Sequence, residues 1–140
     1  MVRALRALYD SPHRREHVAI ACLIVCYIDA MAAHGGEGKK GPYLAFLRAN
    51  FKSLCAGLDG LERGKDGAKV FYEFFRNELV HTFFSRNPKY AIAEDHELGG
   101  AYVGSLPVPG RQSFCTAVNI DRLYRDFLAL ARRKAKGRSL

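Results

Sequence analysis

Between Phe71 and Phe84 the chain places five phenylalanines and a tyrosine around an arginine, an asparagine and a histidine, in the order Phe-Tyr-Glu-Phe-Phe-Arg-Asn-Glu-Leu-Val-His-Thr-Phe-Phe. No other segment limits the fold as tightly. At about 100° per residue, Phe71, Tyr72, Phe75, Leu79 and Phe83 fall on one helical arc, an ordinary core-facing stripe. Glu73, Asn77 and His81 follow at i, i+4 and i+8 along another face, flanked by Val70, Phe74, Val80 and Phe84. A helix that is apolar on two arcs is covered on most sides. The second arc is therefore expected to meet another helix or a second subunit, and the polar groups on it need partners, because an unpaired buried polar group costs free energy.

The flanking sequence reads as scaffold for that helix. With 140 residues the chain is long enough to bury a core as one domain spanning 1–140, with a basic tail from about 130 onward. Apolar residues make up 49% and charged residues 26%, proportions of a globular chain and not of a disordered or membrane-spanning one. The net charge of +8 favours polyanionic partners. The excess gathers at the ends: Arg3, Arg6, Arg14 and Arg15 in front, and Arg132, Arg133, Lys134, Lys136 and Arg138 behind. Cys22, Cys26, Cys55 and Cys115 lack the spacing of a zinc site and read as reduced core thiols of a cytoplasmic protein.

Taken in order, Asp10-Ser11-Pro12 signals a helix start. A first helix is expected over 12–33, with the apolar run Val18 to Met31 making it the inner one. Arginines followed by that run, and then Ala30-Met31-Ala32, have the outline of a secretion signal. Glu16 in the basic lead and Asp29 at the end of the run favour a buried helix, and the run is too short to span a bilayer. Asp29 and Tyr27 are its polar exceptions, Asp29 placed to accept a hydrogen bond from a neighbouring helix or to face solvent. The segment His34 to Pro42 has glycines and lysines but not the spacing of a phosphate loop. A second helix is expected over 42–56, a turn-rich connection over 57–67, and the aromatic helix over 68–84 with Asp66 helping to start it. Tyr90 to Ala93 and Ala101 to Gly104 suggest a small hairpin, with Phe114 to Val118 as a further short strand. Asn119 then caps a last helix over 120–134, whose inner face carries Leu123, Tyr124, Phe127 and Leu130. The expected fold is mainly α: a four-helix up-and-down bundle with a small β-hairpin insertion before the last helix.

The chemistry lies in Arg76-Asn77-Glu78-Leu79-Val80-His81. An imidazole titrates near neutral pH and serves as acid or base. A guanidinium is permanently charged and presents a fork to phosphate oxygens. This arginine-x4-histidine string, with a polar residue after the arginine, resembles the signature of the HEPN superfamily and is similar to the motif helix of small bacterial proteins of that kind. The resemblance implies an all-α bundle that dimerises with two motifs facing each other. It also implies metal-independent RNA cleavage, leaving a 2′,3′-cyclic phosphate, in settings such as toxin–antitoxin systems. On it, Arg76, Asn77 and His81 are the catalytic set, with no cofactor and no metal, and the partners are RNA or a nucleotide, a second copy of the chain, or a protein such as an antitoxin, with no membrane involved. Arg86, Lys89 and Tyr90, just past the motif, offer phosphate contacts and a ring on which a base can stack.

Two other readings stay open. Arginine and histidine on a buried helix can simply bond Glu73, Asn77, Glu78 or backbone carbonyls, which makes the chain a non-catalytic interaction or nucleotide-binding module. Alternatively the basic ends bind nucleic acid without catalysis. His96, with Asp95 and Glu97, reads as part of an exposed turn.

Overall fold

The computed structural model describes residues 3, 6, 17–33, 40–77, 89–108 and 110–138. Among them the chain is mainly helical, with a small three-stranded sheet. Helix α1, His17–Ala32, buries Ile20, Ala21, Ile24, Val25 and Ile28, a stripe at helical spacing. Leu23, Tyr27 and Met31 are half-buried and Cys26 is exposed, so α1 covers the core with one face and is not wrapped on all sides as an inner helix.

One long second helix was expected; two are found, α2 (Lys40–Asn50) and α3 (Lys52–Leu61). The break falls at Phe51, whose φ and ψ of −125° and 52° leave the helical region. Its amide still donates to Leu47 O at 2.8 Å and its carbonyl accepts from Cys55 at 3.0 Å, so the bend interrupts the geometry without orphaning these backbone groups. Phe51 is fully buried, and its ring is one of the largest side chains in the core. The expected connection over 57–67 is correspondingly shorter, because α3 runs on to Leu61. Gly57 survives inside α3 because Val103 passes close: a Cβ there would lie 3.0 Å from its side chain.

Asp66 caps α4 (Gly67–Val70) as expected, its carboxylate accepting from Ala68 N at 3.0 Å. A second change of geometry follows directly. Residues Phe71–Arg76 form a π-helical segment, with the Asn77 amide reaching back to Tyr72 O. The wider i→i+5 coil shifts side chains away from positions counted at 100° per residue. Phe71, Tyr72 and Phe75 remain buried, Glu73 is exposed and Asn77 is half-buried. The continuation of this helix, including His81, lies outside the described residues.

The β element also differs from the expected hairpin. The strands β1 (Tyr90–Ala93), β2 (Val103–Pro107) and β3 (Phe114–Asn119) lie in the order β1-β3-β2. Strand β3 is parallel to β1, with Tyr90 opposite Thr116, and antiparallel to β2, with Val103 opposite Val118. The hairpin is thus β2–β3, and β1 joins the far side of β3. Burial explains the order, since Cys115 to Asn119 are all buried and require cover on both edges.

Helix α5, Ile120–Arg138, starts where β3 ends. Asn119 is fully buried at that junction and caps α5 as expected, accepting from Arg122 N at 3.1 Å. Its amide donates to Asp95 Oδ1 at 2.8 Å and Ala101 O at 2.9 Å. Leu123, Tyr124, Phe127 and Leu130 face the core, as their spacing predicts. Among the described residues no helix is long and apolar enough to cross a membrane.

Candidate functional site around Arg76

The π-helical segment is packed by aromatics. Phe71 stacks on Phe75 with ring centres 5.5 Å apart, and Tyr43 of α2 meets Tyr72 edge-on at 5.1 Å. Phe74 stacks on Tyr90 at 4.2 Å and Phe75 meets the same ring edge-on at 5.8 Å. These contacts fix the end of the segment, where Arg76 sits. Its guanidinium carbon lies 5.4 Å from the Tyr72 ring centre and 6.0 Å from that of Tyr43, within cation–π range.

Arg76 reaches α1. One terminal nitrogen donates to Asp29 Oδ2 at 2.8 Å and the other to Asn77 Oδ1 at 2.9 Å. The side chains of Arg76 and Asp29 are only 13% and 22% exposed, so this pair is poorly screened. Burial acts to lower the Arg76 pKa, but the hydrogen bond and charge of Asp29 outweigh it and the net shift is upward. Among the described residues the Arg76 Nε is buried and has no acceptor. A guanidinium carries five N–H donors, so the pair with Asp29 and the bond to Asn77 hold it in place without exhausting it. A second cation borders the cluster: Lys40 Nζ bonds Glu73 at 2.8 Å and lies 5.8 Å from the Tyr72 ring centre. Cys26 on α1 senses the same charges; burial pushes its thiol up, although Arg76 pulls it down.

Of the residues singled out from sequence, Arg76 and Asn77 are brought together here, while His81 and Arg86 lie outside the described residues. Lys89 stands exposed in the turn before β1. Tyr90 is only 3% exposed, its ring taken by Phe74 and Phe75. No open ring face is left for a base, so the expected stacking role gives way to a packing one. Asp29 and Tyr43 are the partners that spacing along the motif helix could not supply. Asp29 was legible as a polar exception on an apolar helix, but its partner is 47 positions away.

No disulfide forms among the described residues; Cys22, Cys55 and Cys115 are buried as expected, and Cys26 is exposed, contrary to expectation. One group among the described residues has the spacing of metal ligands: Glu94, His96 and Glu97 place ligand atoms within 4.8 Å of one another. Those carboxylates already have work. Glu94 and Glu97 close a reciprocal capping box on the 3₁₀ turn Asp95–Leu98, and Glu94 also holds His17 Nε2 at 2.9 Å. His96 is exposed, as its turn context predicts.

Set against protein-family models, curated proteins and solved structures, the chain matches none of them. The class defined by fold and site is a mainly helical chain with a three-stranded sheet and a fixed, partly buried arginine at the end of a π-helical turn.

Proposed function

We propose that the chain is a HEPN-like, cytoplasmic protein that binds and cleaves RNA around the helix bearing Arg76, Asn77 and His81. The observation that carries this reading is the state of Arg76: it is oriented by Asp29 and Asn77, and its buried Nε has no acceptor among the described residues. Buried orphan donors are rare and concentrate where a catalytic role or an absent anion explains them. π-Helical turns are likewise frequent at functional sites. In the proposed reaction His81 takes the proton of the 2′-hydroxyl. That oxygen attacks the adjacent phosphorus, the bond to the 5′-oxygen breaks as that oxygen takes a proton from water, and a 2′,3′-cyclic phosphate remains. Arg76 stabilises the charge on the pentacovalent phosphate, and Asn77 holds Arg76. No metal or cofactor takes part. A homodimer supplies two such sets in one cleft, and α1, the α2–α3 unit, the motif helix and α5 are the four helices of the bundle.

The Arg76–Asp29 pair favours a second reading, in which the same network locks α1 to the motif helix of a non-catalytic interaction or nucleotide-binding module. One experiment separates the two. Labelled RNA is incubated with wild type, His81→Ala and Arg76→Ala in excess chelator, each variant checked for fold by circular dichroism. The catalytic reading expects cutting by wild type and loss of it in both folded variants. Equal turnover in all three, or none in wild type, refutes it and leaves the interaction module.

A further inference from the structure

Helix α5 shows solvent a different chemistry from the one it shows the core. Arg122, Arg125, Arg132, Arg133 and Lys136 are all exposed. Their steps of three, seven and four, with exposed Ala129 in the gap, follow one outward face. At 1.5 Å per residue this face is about 21 Å long. Arg122 is steadied over the Tyr102 ring at 5.7 Å, and Arg125 by the Asp121 carbonyl at 3.3 Å and an ion pair with Asp95 at 3.7 Å. Among the described residues no carboxylate pairs with Arg132, Arg133 or Lys136. Arg133 also borders an open cleft of about 400 Å³ whose other walls include Asn50, Lys52 and Ser53 at the α2–α3 bend, with Asp126 the one acidic side chain. Three elements, α2, α3 and α5, therefore bring cations and neutral hydrogen-bonding groups to one concave, polar place.

We propose that this face of α5, together with the Lys52–Arg133 cleft, is the track on which the phosphate backbone of single-stranded RNA lies. The inference rests on the RNA reading above for the choice of RNA. The charge pattern itself speaks for a phosphodiester chain over a lipid surface. An interfacial helix must offer an apolar side to the bilayer, and the apolar side of α5 is already spent on Leu123, Tyr124, Phe127 and Leu130 in the core. A phosphodiester chain needs only spaced cations and a groove, and its affinity comes from counterion release.

The test is fluorescence anisotropy of a labelled single-stranded RNA with full-length wild type, with Lys52→Gln/Arg133→Gln/Lys136→Gln, and with Lys69→Gln, across a salt series. Each neutralised phosphate contact contributes about 0.7 to the slope of log affinity against log salt, so the triple variant is expected to lose about 2 from that slope and at least about tenfold in affinity. Lys69→Gln, at an exposed lysine outside α5 and the cleft, is expected to bind like wild type. A triple variant with wild-type affinity and slope overturns the track and leaves the catalytic reading standing. Wild type that binds no RNA overturns both. Wild type that binds phosphatidylserine vesicles as tightly as RNA overturns the choice of partner.

Discussion

The ion pair between Asp29 and Arg76 makes a quantitative claim, because it joins α1 to the motif helix across 47 positions with both side chains largely out of water. Asp29→Asn keeps the shape and removes the charge. A hydrogen bond to a charged group contributes about 1.5–3 kcal/mol, and stranding the partner of a fully buried pair costs about 3–5 kcal/mol. With 22% of the Asp29 side chain exposed and Asn77 still holding the guanidinium, the lower range applies, about 2 kcal/mol. For a chain of this size that corresponds to a fall in Tm of roughly 8 °C. Arg76→Gln is expected to cost about as much. If the two groups act as a pair, the double variant loses less than the sum, with a coupling energy of about 1.5 kcal/mol. The chain has no Trp, so guanidinium titrations followed by far-UV circular dichroism and tyrosine fluorescence are the assay. A coupling energy within about 0.3 kcal/mol of zero would refute the pair, since unconnected sites add to that accuracy.

Other outcomes follow from the same geometry. Asn119→Ala removes the α5 cap and two further side-chain bonds, and is expected to cost about 3 kcal/mol in chemical denaturation, near 1 kcal/mol for each bond lost. Thiol titration of the native protein at pH 8 is expected to show one fast cysteine, Cys26, while Cys55, pushed up to about 11 by burial and then by Asp59 and Asp66, reacts only on unfolding. Asp66→Ala is expected to cost about 1 kcal/mol at neutral pH. Burial raises the Asp66 carboxyl, but the Arg48 hydrogen bond and the Ala68 amide outweigh it and hold it below its ordinary 3.8. A depressed acid stabilises above its unfolded pKa, so the gap between variant and wild type is expected to be full above that value and to close as the pH falls below it, read as denaturation midpoints down the pH scale.

Local signals carried some of this fold and long-range pairing decided the rest. The caps at Asp66 and Asn119 act within three residues, and the inner face of α5 repeats every three or four, so both were legible. The bend at Phe51 carries no Gly or Pro; the preceding Asn50 side chain bonds the Phe46 carbonyl at 3.1 Å, and the Phe51 ring is buried. The π-helical segment has no signature in residue type. The strand order was hidden because β1 and β3 pair across more than twenty residues while periodicity reports only neighbours. For the site, Arg76 and Asn77 stood out as polar groups among aromatics, but Asp29 and Tyr43 reach Arg76 only through packing of α1 and α2 on the motif helix.

The chemistry of the cut end tests the RNA reading most directly. RNA cleaved by wild type in chelator would be analysed by mass spectrometry beside the same strand carrying a 2′-deoxy sugar at the cut position. The account predicts a 2′,3′-cyclic phosphate on the natural strand, no cut in the deoxy strand, and no product from folded Arg76→Ala or His81→Ala. Ends bearing a free 3′-hydroxyl, or equal cutting of the deoxy strand, would contradict it.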